Sequence, residues 1–218
     1  LSSSSAASDV YKRQALNALL LIDSAPSQHF DVHPFAGAVG AEIVGLDLSR
    51  PLNAQDFARI HRAHLDHHVL VFRDQRITPE HQIAFSRRFG ELQIHVLKQF
   101  LLEGHPEILI VSNIIENGQN IGLGDAGKFW HSDLSYKALP SLGSMLHAQE
   151  LPDEGGDTLF ADMHKAWDAV PAALRTLVAG RNAAHSYTAR YAETRFEGNW
   201  RPALTAEQLA QVQEVVPV

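Results

Sequence analysis

The chain has 218 residues, of which 45% are hydrophobic and 20% are charged, a composition typical of one globular domain. Its formal net charge of −7 and the lack of any Lys/Arg cluster argue against a nucleic-acid-binding face. Because there is no Cys, the sequence excludes disulfides and thiolate metal sites, so any bound metal needs His and carboxylate ligands. No apolar run approaches the roughly 18 residues that a membrane-spanning helix requires.

The N-terminal segment differs from the rest of the sequence. Residues 2–8 are all Ser or Ala, a low-complexity run that is too polar to be buried. We expect residues 1–28 to form a disordered or non-native tail, with residues 1–14 appended to the natural sequence. Residues 29–218 are predicted to form a single domain.

Short strands and helices alternate through the first part of this domain. Residues 41–44 are predicted to form a strand, and Asn53 is a suitable N-cap for a helix. The continuous apolar run 69–72 predicts a strand that is buried on both faces. Thr78, followed by Pro at the first helical position, predicts a second helix that ends at Gly90.

The second part of the domain repeats this mixture of short elements. Strands are predicted at residues 108–111, 141–151 and 181–187, a loop at 117–127, and helices from 162, from 171 to 180 and from 205 to 215. Many short strands with a few helices favour a mainly β, α+β fold, in which a barrel or sandwich carries peripheral helices.

One stretch, Lys128-Phe-Trp-His-Ser-Asp-Leu-Ser-Tyr136, combines aromatic residues with two metal-ligand side chains. Its aromatic flanks predict a strand, which would place His131 and Asp133 on the same face. One imidazole and one carboxylate provide two-thirds of the facial triad that holds non-haem Fe(II). The alternative is a surface His and Asp that share a hydrogen bond, which is the commoner case for an isolated His-x-Asp.

The motifs on either side of this stretch form an ordered series. They include Gly45-Leu-Asp-Leu-Ser-Arg-Pro-Leu52, Val71-Phe-Arg-Asp-Gln75, Arg88-Phe-Gly-Glu-Leu92 and Gly155-Gly-Asp-Thr158. Across about residues 30 to 191, the series resembles the taurine / chlorophenoxyacetate dioxygenase family of Fe(II)- and 2-oxoglutarate-dependent oxygenases. The resemblance implies a double-stranded β-helix (jelly-roll) core and a cytoplasmic enzyme.

The resemblance also implies roles for individual residues. It assigns His131 and Asp133 as Fe(II) ligands and Thr158 as a hydrogen-bond donor to the distal carboxylate of 2-oxoglutarate, and it places His95 and Tyr191 at substrate-binding positions. Lys98 stands where the taurine enzymes carry Tyr, and Gly127 stands where they carry Asn. We therefore expect Lys98 to pair with the acidic group of a substrate other than taurine.

The family's third ligand, a distal His, and an Arg that pairs with 2-oxoglutarate would both lie beyond Val218. We therefore expect a jelly roll that is incomplete at its C-terminus. Residues 1–218 on their own are expected to bind Fe(II) weakly and to form no succinate. Three other histidines, His147, His164 and His185, do not stand where the family places its third ligand.

The expected function is hydroxylation of a small organic acid, with release of succinate and CO2. Sulfonates, sulfate esters, aryloxy acids and other carboxylic acids all remain open as substrates, and the expected partners are this acid, 2-oxoglutarate and O2. No nucleic acid or membrane is expected as a partner, and homo-oligomerisation is left open. Two alternatives remain: a non-catalytic jelly-roll binding module, and a zinc hydrolase built on His61, His64 and His68 of the first helix.

Overall fold

The computed structural model describes residues 25–124, 126–127, 129–189, 203–212 and 216–217. The chain divides into two compact units, residues 1–90 with 159–166, and residues 91–158 with 167–218. Most of the predicted N-terminal tail lies outside the described residues. A single domain from residue 29 onward stays a prediction.

A small mixed sheet forms part of the first unit. Strand β1 (Asp31–Pro34) pairs antiparallel with β2 (Ala41–Val44), and β3 (Leu70–Val71) pairs parallel with β2. The strand predicted at 41–44 is therefore confirmed. The strand predicted at 69–72 is shorter, and its residues are only half-buried. The predicted burial on both faces is wrong. Within the described sheet β3 is an edge strand, so its side chains have a neighbouring strand on one side only.

Two helices of the first unit begin where their capping residues predict. Helix α1 (Ala54–His67) starts after Asn53, whose side chain accepts a hydrogen bond from the backbone NH of Asp56. Helix α2 (Pro79–Ser86) starts after Thr78, which forms a reciprocal capping box with His81.

The predicted end of α2 is wrong, because the helix stops at Ser86 and not at Gly90. Beyond Ser86 the backbone hydrogen bonds change from the α-helical spacing to the tighter 3₁₀ spacing. The NH groups of Arg88 and Phe89 donate to the carbonyls of Phe85 and Ser86, which lie three residues back rather than four. Such tightening is a common way for a helix to satisfy its last carbonyl groups.

The first unit has an apolar core built from both its sheet and its helices. Its buried members are Phe30, Ala41, Ile43, Leu46, Leu48, Leu52, Ile60, Ala63, Ile83 and Phe85. Residues from β2, α1 and α2 all contribute, so burial of these side chains holds the three elements together.

The second unit contains short hairpins and strand pairs. The pairs are β4 (Leu101–Leu102) with β5 (His105–Leu109), β6 (Ile115–Glu116) with β7 (Gln119–Asn120), and β8 (Ala184–His185) with β9 (Val216–Pro217), all antiparallel. Asn117 and Gly118 connect β6 to β7 with φ angles of 51° and 77°, the left-handed pair that suits a two-residue hairpin turn. The predicted loop 117–127 therefore begins within a hairpin.

Three short α-helices lie in the later part of the chain: α3 (Met163–Ala169), α4 (Ala172–Val178) and α5 (Ala206–Val212). A single 3₁₀ turn spans Lys98–Phe100. Asp162 caps α3 by accepting hydrogen bonds from the NH groups of His164 and Lys165. Thr205 and Gln208 form a reciprocal capping pair at the start of α5. All three predicted helix starts are confirmed, and the chain combines helices and short strands as expected. No helix among the described residues is long and apolar enough to cross a membrane.

The strand predicted at 141–151 is absent, and residues 137–162 contain neither helix nor strand. A strand is stable only where its backbone groups find a neighbouring strand, and no described segment pairs with this one. Its apolar side chains lie at the surface: Leu142, Leu146 and Leu151 are 69%, 70% and 79% exposed.

The side chain of Asp56 ties the segment before β1 to helix α1. It is 1% exposed, and it accepts hydrogen bonds from the Ser27 hydroxyl at 2.9 Å and from the Gln28 NH at 2.7 Å. Gln28 itself is buried. A carboxylate in this position therefore satisfies buried donors that have lost their contact with water.

We predict that Asp56→Ala lowers the free energy of unfolding by about 2–3 kcal/mol, because the buried NH of Gln28 loses its acceptor. Asp66→Ala, on the same helix, is the matched control. It removes only an exposed ion pair with Arg62 and should cost about 0.5 kcal/mol or less. Urea unfolding of both variants measures the difference, and equal losses would contradict the role assigned to Asp56.

Candidate metal centre

The segment that carries His131 and Asp133 is a succession of turns, so the predicted strand at this site is wrong. The NH of Ser135 donates to the carbonyl of Ser132 at 3.3 Å, and the NH of Lys137 donates to the carbonyl of Leu134 at 2.9 Å. Leu134 has a φ of 53°, in the left-handed region that ends extended structure. A strand cannot form here because the backbone satisfies its hydrogen bonds locally, within the turns.

The side chains of His131 and Asp133 nevertheless converge. Nε2 of His131 lies 3.3 Å from Oδ1 of Asp133, and both side chains are about half exposed, at 52% and 51%. In a strand, alternation would have placed them on one face. Here the turn brings them together instead. Trp130, the residue before the histidine, is 70% exposed.

A backbone carbonyl orients the imidazole of His131. Nδ1 lies 2.7 Å from the carbonyl oxygen of Phe129, which can only accept, so Nδ1 carries the proton and donates it. Nε2 of a neutral imidazole then carries the lone pair that a metal ion uses. This tautomer directs the ligand atom toward Asp133.

The carboxylate of Asp133 has a second partner that the sequence analysis missed. The hydroxyl of Ser144 donates a hydrogen bond to Oδ2, while Oδ1 faces the histidine. Ser144 lies in the irregular segment 137–162, 11 residues from Asp133. No local pattern predicts this contact, because a lone exposed Ser has no sequence signal of its own.

The spacing of the two candidate ligand atoms is compatible with a shared metal ion. Two atoms that bind one ion at about 2.1 Å and at right angles to each other lie about 3.0 Å apart. The observed 3.3 Å between Nε2 and Oδ1 is close to this value. Within the part of the chain that the structure describes, no third His, Asp or Glu lies close enough to complete a three-ligand metal site with this pair.

Tyr136 anchors the turn to the interior of the second unit. Its ring packs against the apolar cluster of Val96, Leu97, Phe100, Leu123 and Val212. It also lies 4.8 Å from the ring of Tyr187, centroid to centroid. Burial, together with the nearby negative charge of Asp133, raises the pKa of Tyr136 to about 12. Among the described residues, the Tyr136 hydroxyl has no hydrogen-bond partner.

The structure does not bring the other predicted site residues onto this pair. Thr158 is exposed, and no described hydrogen bond joins it to His131 or Asp133. It follows Gly155 and Gly156, whose φ angles of 77° and 75° form a left-handed turn. A Cβ on Gly156 would lie 3.2 Å from Cγ of Pro152, so this turn also favours glycine sterically.

The predicted substrate-binding residues have other contacts. Nδ1 of His95 accepts a hydrogen bond from the NH of Leu97 at 3.2 Å. Nζ of Lys98 lies 2.7 Å from Oε1 of Glu207, and this contact lowers the pKa of the Glu207 carboxyl. Tyr191 lies outside the described residues.

The three histidines considered for a zinc site pack against rings rather than around a common point. Only His61 and His64 lie on helix α1, because the helix ends at His67 and His68 is its C-cap. His61 and His64 lie 5.9 Å and 6.0 Å from the ring of Phe89, and His68 stacks on His164 at 6.4 Å. Burial lowers the pKa of His64, so its neutral form is favoured. The described residues contain no three-ligand group, and this helix therefore gives no support to a zinc site.

Sequence and structure comparisons relate the chain to known proteins. Residues 31–213 match the family model described as "Taurine catabolism dioxygenase TauD, TfdA family". Pentalenolactone F synthase of Streptomyces avermitilis is 39% identical over 174 residues, which cover 76% of this chain and 54% of that protein. The (S)-phenoxypropionate/alpha-ketoglutarate-dioxygenase of Delftia acidovorans is 31% identical over 168 residues, covering 71% of this chain and 54% of that protein.

The chain also resembles a solved structure, of which it covers the same 54% as of the two relatives above. A taurine dioxygenase from Burkholderia xenovorans has a TM-score of 0.60 and 31% sequence identity, over 74% of this chain and 54% of that one. The chain spans about half the length of the curated relatives it matches.

We predict that Tyr136→Phe leaves the protein as stable as wild type or slightly more stable at pH 8, because the ring stays packed and a buried hydroxyl is removed. In wild type, the folded state holds the phenol proton to about pH 12, whereas the unfolded state releases it near pH 10. The stability that depends on this proton is present below pH 10 and falls between pH 10 and 12. Urea unfolding should show the variant gaining over wild type across that interval, and a constant difference would contradict the prediction.

Proposed function

The chain belongs to the TauD/TfdA family of dioxygenases, and from this membership we propose that the protein is an Fe(II)- and 2-oxoglutarate-dependent dioxygenase that hydroxylates a small organic acid. The observation that carries the proposal is the 3.3 Å approach of His131 Nε2 to Asp133 Oδ1. An isolated His-x-Asp has little specificity, but here the pair is oriented and lies within the matched family region.

Two side chains of this chain would hold the metal, His131 through Nε2 and Asp133 through Oδ1. When bound, iron and 2-oxoglutarate supply the oxidation: O2 is consumed, 2-oxoglutarate becomes succinate and CO2, and a hydroxyl group is added to the substrate. The chain contributes the orientation of both ligands, His131 through the carbonyl of Phe129 and Asp133 through the hydroxyl of Ser144.

Thr158 is the proposed donor to the distal carboxylate of 2-oxoglutarate. A hydroxyl can donate to a carboxylate oxygen, and the exposed position of Thr158 leaves it accessible. The left-handed turn at Gly155 and Gly156 lies just before Thr158 and sets the direction in which the backbone reaches it.

His95 and Lys98 are the proposed contacts to the acidic group of the substrate. Because Nδ1 of His95 accepts from Leu97, Nε2 carries the proton of the neutral ring and is the donor. Lys98 reaches a substrate anion only by leaving Glu207. Both members of that ion pair are largely exposed, so the exchange costs little. Tyr191 remains a proposed substrate contact on the resemblance alone.

The wider assignments also rest on family membership. We propose a jelly-roll core, a cytoplasmic enzyme, and an acid substrate drawn from sulfonates, sulfate esters, aryloxy acids and other carboxylic acids. The name of the Delftia acidovorans relative places an aryloxy acid and 2-oxoglutarate together in one such enzyme. A non-catalytic binding module of the same fold would bind an acid without forming succinate.

We predict that the full-length protein converts 2-oxoglutarate to succinate only with Fe(II) and O2, and that His131→Ala and Asp133→Ala each abolish this turnover. Each substitution removes a ligand that the iron requires. Succinate formation, measured by chromatography, tests the prediction. His147→Ala is the matched control and should keep wild-type turnover, because its ring contacts Gln149 and not this pair. Full turnover by either ligand variant would refute the assignment.

We also predict that taurine is a poor substrate, because Lys98 and Gly127 replace the Tyr and Asn of the taurine enzymes. Ranking kcat/KM for taurine, another sulfonate, a sulfate ester and an aryloxy acid measures this. A clear preference for taurine would show that these two positions do not decide specificity.

A further inference from the structure

We propose that Ser144 is a positioning residue that holds Asp133 as a one-oxygen metal ligand. The proposal rests on the proposed function, since it concerns the same metal centre. It adds a residue to that centre from a segment with no helix or strand.

The two oxygens of the Asp133 carboxylate have different partners. Oδ2 accepts the hydroxyl hydrogen of Ser144, whereas Oδ1 lies 3.3 Å from Nε2 of His131. A carboxylate can bind a metal through one oxygen or through both. With Oδ2 engaged by a hydrogen bond, Oδ1 is the oxygen left to share an ion with the histidine.

The side chain of Asp133 needs such a partner because its surroundings do not fix it. It is 51% exposed and lies on a turn, so about half of its surface has no packed neighbour that could restrict its rotamer. The backbone of that turn is anchored three residues later by Tyr136, but this anchor does not set the direction of the carboxylate. The hydroxyl of Ser144 supplies the missing constraint from across the loop.

The arrangement gives each ligand one orienting partner. The Phe129 carbonyl accepts the Nδ1 proton of His131, and the Ser144 hydroxyl donates to Asp133. Partners of this kind set the tautomer and direction of metal ligands, and their loss typically weakens metal binding by about 10–100-fold. The backbone partner cannot be removed by substitution, so Ser144 is the one that can be tested.

If the hydrogen bond of Ser144 had a purely structural role, the effects of removing it would differ. Ser144 is exposed, so its replacement by Ala creates no cavity and should leave the folded chain intact. If the contact only linked two loops, Ser144→Ala would change the unfolding midpoint and leave the metal affinity alone. If it positions Asp133, the affinity changes and the midpoint does not.

The experiment is a titration of the full-length apoprotein with Mn(II), a redox-stable divalent probe, with the free ion followed by electron paramagnetic resonance. Ser144→Ala should bind Mn(II) about tenfold or more weakly than wild type. Ser144→Thr keeps the hydroxyl and should stay within about twofold of wild type. Ser141→Ala, in the same segment, is the matched control and should not change the affinity. His131→Ala reports the loss of a direct ligand.

The outcomes separate this inference from the proposed function. If wild type binds Mn(II) and His131→Ala loses it, but Ser144→Ala binds as tightly as wild type or more tightly, the role of Ser144 is refuted and the metal centre stands. If wild type shows no binding that depends on His131, the metal centre falls, and the role of Ser144 falls with it. Weak binding by Ser144→Ala, with recovery in Ser144→Thr and an unchanged urea midpoint, establishes the positioning role.

Discussion

The approach of His131 to Asp133 depends on a short turn that is held from two directions. Tyr136 fixes the end of the turn by burying its ring against the apolar cluster of the second unit. Ser144 contacts the carboxylate from a segment further along the chain. The backbone of the segment contributes local turn hydrogen bonds and the Phe129 carbonyl, which accepts the Nδ1 proton of His131. The candidate centre thus combines a buried apolar anchor for the backbone with polar contacts that orient the two proposed ligand atoms.

The sequence predicted features that depend on neighbouring residues. Helix starts at Asn53, Thr78 and Asp162 could be predicted because a capping side chain bonds to an NH only two or three residues away. The assignment of His131 and Asp133 as ligands rests on the family resemblance, since their spacing alone favours a surface pair. The strand expected to bring the two side chains together is wrong. A turn brought them together, because alternating side chains are not the only geometry that pairs positions two residues apart.

Features that depend on distant residues could not be predicted in the same way. The segment 141–151 has the residue pattern of a strand, but pairing with a neighbour decides whether a strand forms. No described strand pairs with this segment, and its leucines are exposed. Lys98 looked available to a substrate, yet Glu207, 109 residues away, occupies its ammonium group. Ser144 was overlooked for the same reason, since only the folded chain shows what its hydroxyl contacts.

The exposed indole of Trp130 gives this centre an optical property of its own. Its side chain is 70% open to solvent and stands next to His131 in the chain, so its excited state is surrounded by water and emits at long wavelength. A paramagnetic ion held by the neighbouring imidazole would lie close enough to shorten the lifetime of that excited state. With the other two tryptophans, Trp167 and Trp200, replaced, the emission of Trp130 would report whether the histidine beside it carries an open-shell ion.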